Sequence, residues 1–393
     1  MSFIDVFKLK VVDAADGKRR KIKIFGISFA YKTKKYLDNA NDFNVKNSEK
    51  NLSQFKGDGN KNILFVASDF IFAGGIETRL SQYIEKLSSD GWNCYILSEK
   101  NENEYLNSLS NFNLCFDAKN VQDDLLKIIK QYDISIVEFQ FKSTKILKNI
   151  NLNELKSFAK LGCVIHDFGV KDINIIKKFD YIIKISKFMY YKFYSFIKGV
   201  IIQNAIDTTK YSSLPTWSYK GQKKAILISR IDSLKKKSIE CFIKYCQKNN
   251  IEFLIAGEEK NSKEFTKSLI EKYDLKENVF IGRIDTIDYL QKNINNILFV
   301  AGIGQVILEG AYLNYPCFCC SDYKNKMYSF LTTENIGLFN NFTVYKNSLV
   351  HKRNKKEFIL DVKNIEKYQQ RQFIIENRDL KTCYKKYKSV IEN

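Results

Sequence analysis

The sequence has 393 residues, 45% of them hydrophobic and only 2 of them proline, a globular composition that excludes a disordered or collagen-like chain. One core rarely serves so many residues, so two domains are expected. The formal net charge of +20 favours an acidic partner such as nucleic acid, an anionic membrane or a phosphorylated substrate, although an AT-rich genome also produces this richness in Lys, Asn, Ile, Phe and Tyr.

Neither a membrane-spanning nor an exported chain is expected. No run of about 18 apolar residues occurs, and the amino terminus lacks the continuous apolar segment of a signal peptide. Together these features predict a cytoplasmic protein, in which cysteines stay reduced.

Residues 1–60 are predicted to be a basic extension followed by a linker. Ten Lys or Arg residues against three Asp residues give segment 1–36 a charge of 10 − 3 = +7. Residues 21–32 partly alternate between apolar and polar, which predicts a strand. Residues 37–60 are rich in Asn, Asp, Ser and Gly, as linkers are.

A first series of alternating strands and helices is predicted over 61–206. Its short apolar runs are typical of buried parallel strands. Gly74 and Gly75 lie between the first strand and an amphipathic helix that Gly91 ends. The predicted strands are 62–67, 94–97, 134–138, 163–166, 181–185 and 200–207.

A second series is predicted over 207–375, before a terminal helix at 376–393 that returns to the first domain. Its predicted strands are 225–229, 252–256, 279–281, 297–300 and 317–320. Strands that alternate with helices imply parallel sheets covered on both faces. The predicted fold class is therefore α/β, with two Rossmann-like parallel-sheet domains facing a central cleft. Ligands bind such folds at the carboxyl ends of the strands.

The cysteines do not predict a zinc site. Nine are present, but Cys317 and Cys320 form a lone Cys-x-x-Cys with Cys319 between them, and the only histidines are His166 and His351. The run at 316–321 is better explained as a buried strand that uses cysteine as a small hydrophobic residue.

Three charged residues beside apolar runs are the main candidates for a binding site. Arg230 and Lys235 follow the predicted strand 225–229, and Glu309 lies in an otherwise apolar helix start. Arg and Lys can hold a diphosphate that gains charge as its bond to a sugar breaks. A carboxylate can accept hydrogen bonds from both hydroxyls of a ribose. The alternatives are a solvated basic loop at 235–237 and a carboxylate that only stabilises its helix terminus.

Two further positions favour the same cleft. Gly75 would let the backbone approach a ligand, and the helix that follows offers N–H groups to an anion. A plain tight turn is the alternative for this glycine. His166 ends an apolar strand and precedes Asp167, and a structural histidine is the alternative there.

Several motifs of other enzymes are absent from the sequence. There is no Asp-x-Asp for a metal–diphosphate site and no P-loop. The Rossmann Gly-x-Gly-x-x-Gly is missing, so a dinucleotide cofactor is not expected, and there is no Gly-x-Ser-x-Gly.

Taken together, these segments resemble the family 4 glycosyltransferases of the GT-B fold, retaining enzymes of bacterial polysaccharide synthesis. Gly-Gly-Ile-Glu at 74–77 is similar to the family's opening, and Asn-Ala-Ile-Asp at 204–207 to its crossing into the second domain. Arg230 and Lys235 match two cations of the family five positions apart, and 306–311 resembles its ribose-binding segment. The resemblance covers about residues 61–390.

The resemblance implies transfer of a sugar from a UDP- or GDP-linked donor to a glycan or lipid-linked acceptor, with no cofactor and no metal. Arg230 and Lys235 would bind the diphosphate and stabilise the leaving group, and His166 would lie at the donor sugar. The nucleotide-binding positions would be Gly75, Gly282, Arg283, Gly304 and Glu309. The implied setting is capsule or lipopolysaccharide synthesis, in the cytoplasm or peripherally at the inner face of its membrane.

One departure from the family pattern is serious. The family has a second glutamate eight positions before the ribose-binding one, and here that position, 309 − 8 = 301, is Ala301. The missing carboxylate normally faces the donor sugar. Its loss motivates an alternative function, a catalytically inactive partner that binds a sugar nucleotide within a polysaccharide-synthesis complex.

Rival functions lie both inside and outside the enzyme class. A GT-B epimerase or phosphorylase is the rival enzyme, although no lysine site for pyridoxal phosphate is recognisable. Nucleic-acid binding is not expected, because no basic and aromatic patch of a known module is evident. The basic, aromatic residues 186–200 are predicted to rest on an anionic membrane surface, or else to cover the first sheet.

Overall fold

The chain divides into two compact units, Met1–Gly59 and Asn60–Asn393. Its structure is a computed structural model. The described residues are 10–13, 19–24, 27–32, 61–70, 75–101, 112–115, 120–141, 146–166, 173–186, 197–258, 263–320, 328–334, 336 and 360–393. The predicted linker and residues 187–196 of the predicted membrane-binding segment lie outside them.

The first unit contains a three-stranded antiparallel sheet of β1 (Lys10–Asp13), β2 (Arg19–Ile24) and β3 (Ile27–Lys32). The prediction of a single strand over 21–32 was wrong. The segment folds back on itself, because β2 and β3 pair antiparallel with Ile24 opposite Ile27. Alternation of apolar and polar residues continues across such a reversal and does not reveal it.

The second unit begins with a parallel sheet of seven described strands in the order β10-β9-β8-β7-β4-β5-β6. The central strand β4 buries Ile63, Leu64, Phe65 and Val66 almost completely, as expected when helices cover both faces. The strands are β4 (Asn62–Phe70), β5 (Asn93–Asn101), β6 (Phe112–Cys115), β7 (Ile136–Phe141), β8 (Lys160–Ile165), β9 (Tyr181–Lys184) and β10 (Val200–Ile201).

Helices of this part connect successive strands. The first helix buries Leu80, Tyr83, Ile84 and Leu87 against the sheet, and the chain turns after it at Gly91, whose φ is 81°. The helices are α1 (Gly75–Ser89), α2 (Val121–Gln131), α3 (Leu152–Leu155) and α4 (Ile173–Ile176), with a 3-10 helix at Ile146–Asn149.

The second sheet has the order β12-β11-β13-β14-β15 and is parallel except for β15. As predicted, Cys317, Cys319 and Cys320 are buried in a strand. The strands are β11 (Lys224–Ile228), β12 (Glu252–Ala256), β13 (Ile297–Gly302), β14 (Cys317–Cys320) and β15 (Tyr328–Phe330). The helices are α5 (Lys236–Lys248), α6 (Lys263–Tyr273), α7 (Thr286–Lys292) and α8 (Gln305–Tyr312).

The prediction of a strand at 279–281 was wrong. The chain forms a 3-10 helix at Glu277–Val279 and then makes only a single bridge, between Phe280 and Ile255 of β12. A further hydrogen bond holds the loop that follows this bridge, because the Gly257 N–H donates to the Gly282 carbonyl at 2.8 Å.

The chain crosses between the two sheets twice, at neighbouring points. Ile206 donates its N–H to the Arg378 carbonyl at 2.9 Å, and the Leu380 N–H donates to the Ile206 carbonyl at 2.8 Å. After a 3-10 helix at Val362–Tyr368, the described chain ends in α9 (Arg371–Arg378) and α10 (Leu380–Glu392).

The last helix, α10, joins the apolar core of the first sheet through Leu380, Cys383, Tyr387 and Ile391. The predicted domain boundaries near 206 and 375 stay a prediction. In the described parts of the chain, no helix is both long and apolar enough to cross a membrane.

Candidate functional site

Both large sheets contain a switch point at which the direction of chain order reverses. In the first sheet it lies between β4 and β7, and in the second between β11 and β13. At a switch point, the loops that follow the two adjacent strands run in opposite directions. A crevice opens between these loops at the carboxyl ends of the strands, and ligands bind there. Three predicted site residues follow these strands: Gly75 comes after β4, Arg230 after β11 and Gly304 after β13.

The amino termini of α1 and α8 lie beside neighbouring residues of the crossing segment, residues 202–207 between the two sheets, α1 beside Asn204 and α8 beside Ala205. Helix α1 begins at Gly75, where an added Cβ would lie 3.6 Å from the side-chain nitrogen of Asn204. Gln305, the first residue of α8, donates its Nε2 to the carbonyl of Ala205 at 3.2 Å. The structure therefore brings two helix amino termini together, and unpaired N–H groups at such ends favour an anion.

Gly304 has a backbone conformation that other residues adopt only with strain. Its φ is 68° and its ψ is −121°, immediately before α8. Nearby, an added Cβ on Gly302 would lie 2.9 Å from Cγ1 of Val306 and 3.0 Å from the carbonyl oxygen of Ile228. Two glycines therefore let the end of β13 turn closely past the end of β11.

Glu309 lies one turn after Gln305 on α8 and faces the residues that open α7. Burial raises the pKa of its carboxyl to about 7, Asp285 adds to this shift, and hydrogen bonds with Thr286 and Gln305 oppose it. The sequence had indicated Glu309 but neither Thr286 nor Gln305. Because Gln305 also bonds to Ala205, this carboxyl is linked to the crossing segment that Gly75 contacts.

Asp232 organises the loop that carries Arg230 and Lys235. Its carboxylate lies 3.5 Å from Nε of Arg230 and accepts a hydrogen bond from the Lys235 N–H at 2.9 Å. It thereby caps the 3-10 helix Ser233–Lys235, which leads directly into α5. The Arg230 side chain remains 34% exposed, and Lys235 is also partly exposed. Both cations thus stand at the amino-terminal end of a 13-residue helix, where an anion is also favoured.

Gly257 is a site residue that the sequence analysis missed. An added Cβ there would lie 1.7 Å from the carbonyl oxygen of Ser229, the residue before Arg230. Gly257 also bonds to Gly282, whose φ is 73°, and the exposed Arg283 follows. A glycine directly after an apolar strand was the available signal.

His166 directly follows β8, the neighbour of β7. Its side chain is partly exposed, and its Nε2 lies 2.7 Å from Oε1 of Gln140 on β7. Gln140 in turn bonds to the buried Glu138 on the same strand. The sequence analysis passed over both residues, although two polar residues inside the apolar run at 136–141 were a signal.

Ala301, the departure from the family pattern, has no exposed surface. It lies in β13 opposite Leu227 and packs in the apolar cluster of Phe299 and Phe318. A carboxylate introduced at this position would begin inside that cluster.

Ala301→Glu is therefore expected to lower the free energy of unfolding by at least about 2 kcal/mol, because it buries charge and adds volume. Chemical denaturation would measure the loss, and Ala301→Gln controls for volume without charge. A glutamate variant as stable as the wild type and faster in sugar transfer would show instead that position 301 serves the site.

Among the residues that the structure describes, no group of three or more His, Cys, Asp or Glu side chains is placed to hold a metal ion. The assembled features are two helix amino termini, two partly exposed cations on one loop, a half-buried carboxyl beside the crossing segment, and glycines where backbones approach. This arrangement can bind an anionic group together with a hydroxyl-rich one.

No protein-family model matches the chain, and no curated protein matches it. Solved structures do match. A glycosyltransferase from Rickettsia africae aligns with a TM-score of 0.60 at 16% identity, over 85% of this chain and 100% of that one. Anabaena HepE, in complex with UDP and glucose, aligns with a TM-score of 0.58 at 14% identity, over 84% of this chain and 99% of that one.

A Listeria monocytogenes protein provisionally assigned as a UDP-N-acetylglucosamine 2-epimerase aligns with a TM-score of 0.52 at 10% identity, over 85% of this chain and 96% of that one. At such identities the similarity identifies the fold. The chain has the GT-B fold, with two Rossmann-like parallel-sheet domains, as the sequence predicted.

Proposed function

We propose that this protein is a glycosyltransferase that moves a sugar from a nucleotide-sugar donor to a glycan or lipid-linked acceptor in bacterial surface polysaccharide synthesis. The observation that carries the proposal is the convergence of α1 and α8 on Asn204 and Ala205, beside Glu309. The complex of Anabaena HepE with UDP and glucose supports it, because that protein shares the fold.

In this proposal each side chain acts on one part of the donor. Arg230 and Lys235 hold the diphosphate and stabilise the charge that develops when its bond to the sugar breaks. Glu309 accepts hydrogen bonds from the ribose hydroxyls, and Gly75 gives room for the phosphates at the start of α1. His166 lies at the donor sugar. Transfer retains the anomeric configuration, and the departing phosphate helps to deprotonate the acceptor.

The experiment that tests the function is a panel of UDP- and GDP-linked sugars incubated with and without acceptor glycans. A glycosyltransferase releases the nucleoside diphosphate from the donor. When the right acceptor is present, it also adds the sugar to that acceptor. An epimerase would instead convert the donor into a stereoisomer with the nucleotide still attached. Binding of a donor without any turnover would favour the inactive partner that Ala301 motivates.

Transfer is expected to need no divalent metal, because Arg230 and Lys235 are proposed to hold the diphosphate and the sequence has no Asp-x-Asp. Turnover should survive excess EDTA. Loss of turnover in EDTA, with recovery on adding Mg²⁺ or Mn²⁺, would contradict the role given to Arg230 and Lys235.

Glu309→Gln is expected to weaken UDP binding about tenfold at pH 8, the scale of losing a charge-assisted hydrogen bond. Since the pKa of Glu309 is about 7, wild-type affinity should rise as the pH rises through 7, and this component should be missing in the variant. Calorimetric titration across pH would measure it. Glu277→Gln, at an exposed position, controls for the lost charge and for titration of UDP itself.

The same carboxyl has an opposite effect on stability. Its pKa in the folded chain lies above the ordinary 4.5, so the unfolded chain gives up this proton at lower pH. The free energy of unfolding therefore falls as the pH rises from about 4.5 to about 7. Glu309→Gln should lack this decline. If the variant keeps the wild-type pH dependence of both UDP affinity and the free energy of unfolding, Glu309 is not the titrating group.

A further inference from the structure

His166 is attached to a chain of hydrogen bonds that runs into the interior of the first sheet. Its Nε2 lies 2.7 Å from Oε1 of Gln140. The Nε2 of Gln140 donates to Oε1 of Glu138 at 2.6 Å, and the Tyr181 hydroxyl donates to Oε2 of Glu138 at 2.9 Å. Glu138 is 2% exposed and Gln140 is 5% exposed, whereas His166 retains partial exposure. A partly exposed ring is thus held by a buried pair.

The buried end of this chain is anchored from several elements. Burial raises the pKa of Glu138, while the Tyr181 hydroxyl and the charge of Arg79 act against that rise. Arg79 lies on α1, stacks 4.3 Å from the ring centre of Tyr83, and donates to the carbonyls of Ile202 and Gln203 at 3.3 Å. These contacts tie the Glu138 environment to the crossing segment.

The direction of the hydrogen bonds follows from the chemistry of the two side chains. In its ionised form Glu138 only accepts, so the NH₂ of Gln140 then faces its Oε1. Rotating the amide by 180° would place its oxygen against the carboxylate oxygen 2.6 Å away, which is repulsive. The amide oxygen therefore faces His166, and Nε2 of the ring must carry a hydrogen to donate to it. In the neutral ring Nδ1 is then the acceptor.

We propose that Glu138 and Gln140 are positioning residues that fix His166, so that Nε2–H donates to Gln140 and Nδ1 is directed to a hydroxyl of the donor sugar. Only the identity of that ligand rests on the proposed function. The carboxylate and the amide act through the ring, and neither contacts the substrate.

The composition of the chain makes a direct test practicable, because His166 and His351 are its only histidines. In a His351→Asn background with ¹⁵N-labelled histidine, every imidazole signal comes from His166. We expect a protonated Nε2 whose proton exchanges slowly with water, and an unprotonated Nδ1. Gln140→Leu and Glu138→Leu should each remove the slowly exchanging proton, whereas Glu138→Gln should keep it, because its amide oxygen still accepts from Gln140.

Tyr181→Phe is the matched control for a purely structural role. It deletes a different hydrogen bond to Glu138 in the same buried environment but leaves the link through Gln140 intact, so the His166 proton should remain. An unprotonated Nε2 in the parent, or a slowly exchanging proton that survives Gln140→Leu, would overturn the proposal. The histidine signals can be measured without any enzymatic turnover. They therefore test the positioning of His166 even if the proposed function is wrong.

Donor turnover provides the second readout. Gln140→Leu should lower turnover about tenfold, the scale of one lost hydrogen bond, and should have no further effect in a His166→Ala background. An equal loss with and without His166 would mean that Gln140 only supports the fold, and would overturn the positioning role. Absence of wild-type turnover with every donor would reject the proposed function, while the histidine spectra would still decide the inference.

Discussion

Arg230→Ala and Lys235→Ala are each expected to reduce donor turnover by roughly a hundredfold or more, the scale of losing a contact to charge that develops in the transition state. The structure adds a reason for the size of the effect. Asp232 holds both residues, through Nε of Arg230 at 3.5 Å and the Lys235 N–H at 2.9 Å. The Arg230 guanidinium and the backbone that carries Lys235 are therefore placed by the fold before a ligand arrives, which reduces the reorganisation needed when charge develops.

The neighbouring Lys237 provides the control, because it is exposed on the same basic run and outside the part that Asp232 organises. Lys237→Ala should leave turnover within about twofold, since isolated surface charges contribute little. Asp232→Asn should give an intermediate loss, because asparagine still caps the helix start but no longer attracts Arg230. Wild-type turnover in both cation variants would reject the diphosphate role and restore the solvated basic loop as the explanation.

The interior strands were predictable because a strand covered on both faces is a continuous apolar run. The predicted strand 317–320 coincides with the interior strand β14, and the predicted strand 225–229 lies one residue from the interior strand β11. The sequence analysis missed β6 and β15, which stand at the edges of their described sheets. These segments are short and show no long apolar run, whereas the edge strand β12 was predicted because four of its five residues are apolar.

The crossing segment shows why a correct apolar pattern gave too long a strand. The prediction of 200–207 shrinks to Val200–Ile201 in the structure. Beyond it, guanidinium groups bond to the carbonyls of the segment, Arg79 to Ile202 and Gln203 and Arg378 to Asn204. These donors come from residues more than a hundred positions away along the chain, and periodicity contains no information about them.

The residues of the candidate site also fall into two groups, those that the sequence reveals and those that only the fold brings together. Charged residues beside apolar runs are visible in the sequence, as Arg230 was after a strand and Glu309 was within a helix. Contacts that depend on two backbones approaching, or on side chains of adjacent strands meeting, are not. Gln140 lies on β7 and His166 directly follows β8, 26 positions along the chain, and only the pairing of β7 with β8 brings them together.

The tightest approach in the site is between Gly257 and the carbonyl oxygen of Ser229, and Gly257→Ala is expected to be severely damaging. An added Cβ would lie 1.7 Å from that oxygen, so one backbone must move by more than 1 Å. The overlap should cost about 3 kcal/mol or more, well above the 0.4–1 kcal/mol that alanine contributes by restricting the unfolded chain. Because Arg230 follows Ser229, turnover should also fall roughly a hundredfold.

Thermal melting with and without UDP, together with donor turnover of the folded fraction, would measure both effects. Gly75→Ala is the steric control for melting, because its added Cβ would lie 3.6 Å from Asn204, an ordinary contact, and its melting temperature should not change. A Gly257→Ala protein that melts like the wild type would refute the close approach of the two backbones. If it melts several degrees lower but keeps full turnover in its folded fraction, Gly257 supports the fold without setting the position of Arg230.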